Sequence, residues 1–93
     1  MITKELIRRG IETNNVRFIV DPNMGKGTVC QIGDGWFYFG GFTAEELSPD
    51  EYSMYFVEDI AQEVLEALDD FRKCDELKDE YSYYELFLKE NVV

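Results

Sequence analysis

Carboxylates are the side chains present in numbers that chemistry could use: twenty Asp and Glu against nine Lys and Arg, with no histidine, in 93 residues. A carboxylate can act as a general acid or base, as a metal ligand or as a fixed negative charge. Acid–base and nucleophilic catalysis find little else here, because histidine is absent and no serine or cysteine sits in a nucleophile motif. A hydrolase built on paired carboxylates would need a concave pocket in which one of them is held protonated. The chain therefore reads as a non-enzyme that uses no cofactor. Asp21-Pro22-Asn23-Met24-Gly25 begins as a calcium loop does, but glycine and lysine fill later ligand positions and no glutamate closes it. Lys26 lies between glycines, yet Thr28 after it opens a strand and not the helix of a phosphate loop. The cluster Asp69, Asp70, Asp75, Glu76, Asp79 and Glu80 suits solvated helix ends better than a metal site. Cys30 and Cys74 are too few for a disulfide framework and lack zinc spacing, so both read as structural thiols of a reduced, cytoplasmic protein.

The remaining use of the acids is as charge, and the helix that carries them is the clearest element in the chain. At 100° per residue Val57, Ile60, Ala61, Val64, Leu65, Ala67, Leu68 and Phe71 fall in one arc. The outer arc between Val57 and Phe71 holds Glu58, Asp59, Glu63, Glu66, Asp69 and Asp70, with only Gln62 uncharged. Six carboxylates over roughly 18 Å give about one charge per 3 Å, close to the about 3.4 Å between charges on a DNA strand. That face is either solvated surface or a partner site.

Helical and strand periods divide the rest of the chain. Residues 3–13 read as a first helix with Thr3 as N-cap, Ile2, Leu6, Ile7 and Ile11 on one face, and Asn14-Asn15 as its stop. Gly10 within it implies a short helix or a close neighbour. Val16–Val20 alternates as a strand, Asp21–Gly27 is a turn, and Thr28–Ile32 is a second strand. Gly33-Asp34-Gly35 makes a tight hairpin through its Asp-Gly pair. Trp36–Phe39 is a third strand, aromatic on both faces, which places it centrally or under a helix; Gly40-Gly41 closes the sheet. The aromatic run Trp36–Phe42 would need a basic groove to stack nucleic acid and has none, so it reads as core. Capping boxes at Thr43 and Ser48 predict a turn and a short helix through Tyr55, ahead of the acidic helix. Arg72-Lys73 complement that helix's C-terminal dipole. A last helix from about Leu77 to Glu90 places Leu77, Tyr81, Tyr84, Phe87 and Leu88 on one face, with Tyr83 and Leu86 on the other. The expected fold is α+β, one domain over residues 1–93: an N-terminal helix, a three-stranded antiparallel meander, then two to three helices (αβββαα).

Charge is distributed unevenly along this order. Residues 1–42 carry five cations against four carboxylates, whereas residues 43–93 carry four against sixteen, so the second half holds the whole imbalance. Such a surface repels nucleic acid and anionic lipid and attracts basic proteins. No apolar run is long enough for a signal peptide or a membrane span.

The layout resembles that of the small acidic anti-CRISPR proteins that inhibit Cas9, a prophage-encoded group with one helix, a three-stranded sheet and two following helices. The resemblance runs through Thr3-Lys4-Glu5-Leu6-Ile7-Arg8, Gly33-Asp34-Gly35, the helix Val57–Phe71 and Asp79-Glu80-Tyr81. It implies that acids from a sheet turn and from the C-terminal helices fill the basic pocket that reads the PAM duplex, as a DNA mimic would. By position Asp34 and the cluster Asp69 to Glu80 are the analogues. The expected partner site is then Asp34, Glu58, Asp59, Glu63, Glu66, Asp69, Asp70, Asp75, Glu76, Asp79, Glu80 and Tyr83. The partner is a basic nucleic-acid-binding protein, Cas9-like, met by a monomer or homodimer. The alternative is a structural or oligomeric accessory protein that acts through Tyr83 and Leu86.

Overall fold

In the computed structural model, which describes residues 1–20, 28–39 and 54–92, the first helix forms where its caps allow. Thr3 is extended and its hydroxyl accepts the Leu6 N–H at 3.2 Å, so α1 runs Lys4–Glu12. Its end is a Schellman turn: Asn14 takes φ 64° and donates to the Ile11 carbonyl, while Asn15 donates to Gly10. The chain then enters β1, Val16–Val20. Gly10 permits this sharp entry, since a β-carbon there would lie 2.7 Å from Val16 Cγ2.

β1 pairs antiparallel with β2, Thr28–Ile32, and β2 with β3, Gly35–Phe39, in the order β1-β2-β3. Ile32 faces Gly35, so the hairpin loop is Gly33-Asp34 and β3 starts one residue before Trp36. Gly33 carries the positive φ, 63°. The turn therefore uses glycine at its first central position, and the Asp-Gly pair is not its centre as the sequence suggests. The place of β3 explains its two aromatic faces. Of the two places that the aromatic pattern allows, it takes the one under the helices: among the described strands it is at the sheet edge, Phe37 and Phe39 are buried with Phe37 against Phe71 and Tyr84, and Trp36 and Tyr38 are more than half exposed. Aromatic residues on both faces reflect one covered face and one open face.

The helices all serve the covered face. α2 is a single helix, Met54–Lys73, so Met54 and Tyr55 belong to it and do not end a separate helix. Its Ile60, Ala61, Val64 and Leu68 are fully buried, as the wheel predicts, each large aliphatic contributing about 1.5–3 kcal/mol. A single 3-10 turn, Asp75–Leu77, leads into α3, Lys78–Asn91, which buries Tyr81, Tyr84 and Leu88. The Tyr81 hydroxyl accepts the Ile2 N–H at 2.9 Å and ties the two ends of the chain together. One apolar cluster includes residues of all three strands and all three helices, which gives the α+β fold in two layers. The Asp21–Gly27 turn, Gly40-Gly41 and the capping boxes at Thr43 and Ser48 lie outside the described residues. No helix among the described residues is long and apolar enough to cross a membrane.

Ala for Gly normally stabilises a helix by about 1 kcal/mol. Here Gly10→Ala drives a methyl into Val16 and Leu88, so urea unfolding should show a net loss of about 1 kcal/mol or more.

Candidate functional site

Two surfaces emerge when the twelve acidic and aromatic positions are placed on the fold. The first lies on α2, and ion pairs reduce it from six carboxylates to four. Glu58 faces α1, where Lys4 Nζ lies 3.1 Å and Arg8 Nε 3.5 Å from its carboxylate. Asp69 is held by Arg72 at 2.7 Å and Lys73 at 3.1 Å; hydrogen bonds from Lys73 and then Arg72 push its carboxyl below the ordinary range. Asp59, Glu63, Glu66 and Asp70 are exposed, and among the described residues no cation lies within ion-pair distance of them. Spaced i, i+4, i+7 and i+11, they fall within an arc of about 60° and span roughly 16 Å.

The second surface is a groove of about 400 Å³ along the outer edge of β3. Its strand wall is Gly35 to Tyr38, and its helical wall is Phe71 of α2, Leu77 of the 3-10 turn and Tyr84 of α3. The Phe37 ring meets Phe71 at 5.1 Å and Tyr84 at 5.9 Å, which fixes the floor. Asp34 and Glu80 bring one carboxylate each. Tyr84 fills the space that a side chain at Gly35 would take, and burial, then the Glu80 charge, pushes its phenol up to about 12. Beyond the groove the open sheet face continues with Ile19, half exposed, and with a T-shaped Trp36–Tyr38 pair at 5.4 Å.

Of the remaining predicted positions, Asp75 pairs with Lys78 at 2.7 Å, while Glu76 is exposed on the 3-10 turn and Asp79 at the start of α3. Tyr83 is 39% exposed, but its hydroxyl accepts the Asp34 N–H at 2.8 Å and a β-carbon on Gly33 would lie 2.5 Å from it. Its first role is therefore to clamp the hairpin tip to α3, which the outward-facing position alone does not reveal. Asp34, Tyr83 and Glu80 do come together, as the hairpin meets α3. Sequence reasoning missed Trp36, Tyr38, Phe71 and Leu77 as surface-lining groups. The signal was the doubled aromatic alternation of β3, which has a second meaning once that strand is at an edge.

A second cleft, about 360 Å³ between Ile2, Leu65 and Tyr81, also touches Glu66, Asp69 and Arg72. Its Asp69 is shifted toward the ionised form, opposite to what a general acid requires. Among the described residues no three His, Cys, Asp or Glu side chains converge to hold a metal. Cys30 is fully buried in β2, which pushes its thiol up, and Cys74 is half-buried; both are free. Comparison with protein-family models, with curated proteins and with solved structures finds no match.

Replacing Tyr83 by Phe should lower stability by about 1 kcal/mol and speed hydrogen exchange at the Asp34 amide, measured by NMR. Tyr84 supplies a pH test. Its phenol ionises near 10 in the unfolded chain and near 12 when folded, so its stabilisation is complete below pH 10 and is lost as pH rises toward 12. The unfolding free energy from urea titrations across that window should fall more steeply for the native protein than for Tyr84→Phe, by about 2 kcal/mol in all.

Proposed function

We propose that this chain is a non-catalytic, acidic inhibitory module that occupies a basic nucleic-acid-binding site on a partner protein. The observation that carries this reading is the stripe Asp59, Glu63, Glu66 and Asp70, which stays open while its neighbours Glu58 and Asp69 are neutralised. Four charges over roughly 16 Å, about one per 4 Å, remain near the spacing of a single phosphate strand. A rigid helix holds them without the entropy cost of ordering a flexible acidic tail. The partner class is a basic nucleic-acid-binding protein, and the likeness in layout to anti-CRISPR proteins makes a Cas9-like nuclease of a mobile-element host the first one to assay. The compartment is the cytoplasm, where such a target resides.

A second reading, a structural or oligomeric accessory protein, is favoured by the half-exposed Ile19, Trp36, Tyr38 and Leu86. Under it the acids serve solubility and the apolar faces bind a second copy.

One experiment separates the two. A complex captured from lysate at low salt should release between about 50 and 500 mM salt, and duplex DNA should compete with this protein for the captured partner. Charge reversal at Glu63, Glu66 and Asp70 should weaken binding about 100-fold or more with circular dichroism unchanged. Binding that is indifferent to salt, or sedimentation as a stable dimer whose formation those reversals leave intact, would count against the decoy reading.

A further inference from the structure

The hydrogen-bond phase of β3 determines what its edge can accept. In a hairpin closed by the pair Ile32 and Gly35, the bonded pairs are Ile32 with Gly35, Cys30 with Phe37 and Thr28 with Phe39. The intervening residues, Trp36 and Tyr38, therefore direct their backbone N–H and C=O groups away from β2. Among the described residues no strand pairs with that edge. These backbone groups open into the groove, whose far wall presents Phe71, Leu77 and Tyr84. An unpaired edge beside an apolar trough is the arrangement that takes an added strand, with main-chain bonds giving affinity and alternate side chains entering the trough.

Charge selects the occupant. Among the described residues the groove is lined by two carboxylates, Asp34 and Glu80, and by no cation. Asp34 is positioned by the Tyr83 clamp on its own N–H, at the end of the groove where β3 begins. An acidic strand would be repelled, whereas a strand alternating apolar and cationic residues would bury the former against Phe37 and Phe71 and set the latter beside Asp34 and Glu80. We propose that the β3 edge is a docking site for an extended cationic segment of a partner protein, bound by strand addition. This surface is distinct from the α2 stripe, so it stands or falls separately from the decoy reading.

Trp36 is the sole tryptophan in the chain and stands on the docking strand, so its emission reports occupancy directly. The probe is a blocked heptapeptide alternating lysine with valine and phenylalanine, titrated into the full chain. A saturable blue shift of Trp36 is expected. The same peptide N-methylated at alternate amides, with charge unchanged, should bind at least about tenfold more weakly, since it loses two or more main-chain bonds. Asp34→Asn with Glu80→Gln should weaken binding several-fold and flatten its salt dependence, while neutralising Asp59, Glu63, Glu66 and Asp70 should leave it within about twofold. Equal binding of the methylated peptide would overturn strand addition. Loss of binding on neutralising the α2 stripe would place the peptide elsewhere. A Trp36 shift on raising protein concentration without peptide would make the occupant a second copy and sink the proposal.

Discussion

The contact on which the β3 groove depends is the aromatic junction of Phe37, Phe71 and Tyr84, with centroids 5.1, 5.9 and 6.2 Å apart. It fastens the edge strand to the end of α2 and the middle of α3 at once. Because Phe37 and Phe39 are committed to this junction and the core, strand alternation forces Trp36 and Tyr38 to the opposite face. The open aromatic face is thus a consequence of how the covered face is satisfied. The junction also sets α3 so that Tyr83 reaches the hairpin tip. Asp34 and Glu80, 46 positions apart in the chain, consequently line one groove.

Charge in this protein divides into what the fold consumes and what it leaves. Glu58 is consumed by α1, because Lys4 and Arg8 both reach it across the contact between the two helices. Asp69 is consumed locally by two cations that follow within a turn, and Asp75 by Lys78. Exposed pairs of this kind contribute little stability, at most about 1 kcal/mol, but they cancel charge where they form. What remains on α2 is narrower than the net charge of −11 suggests, and better ordered. A counting argument along the sequence treats all six carboxylates alike, and only the positions of α1 and of the helix's own C-terminal cations separate the four that stay open.

Much of the fold was legible because its signals are local. Thr3 as a cap, Asn14 in left-handed geometry, the bounds of β1 and β2 and the apolar arc of α2 follow from residue types a few positions apart. Gly10 announced a close neighbour, although not that Val16 and Leu88 would be that neighbour. What the sequence left open shares one cause. Which of its two possible places β3 takes, what the Tyr83 hydroxyl meets and which cations reach Glu58 are each settled by partners far away in sequence. Gly33-Asp34-Gly35 failed more subtly. Both Gly-Asp and Asp-Gly can form a two-residue hairpin loop, and both leave Phe37 on the face of Cys30 and Ile32, so side-chain alternation alone does not distinguish them; the observed register, Ile32 opposite Gly35, is the former.

An open edge strand beside exposed aromatics is normally an aggregation hazard, relieved by charge, proline or a covering element. Here β3, Gly35–Phe39, contains neither charge nor proline, and among the described residues relief comes from carboxylates contributed by other elements, Asp34 on the turn and Glu80 on α3. That placement discriminates: at neutral pH two carboxylates oppose pairing with another copy of so acidic a chain, yet they do nothing against a cationic strand. The charge of these two carboxylates thus has a physical role even where it touches no partner. It keeps an adhesive edge from closing on itself while leaving that edge accessible to the opposite sign. On this argument the acids and the aromatics are parts of one selectivity filter, and self-pairing is limited by like charge at the edge more than by the apolar area exposed.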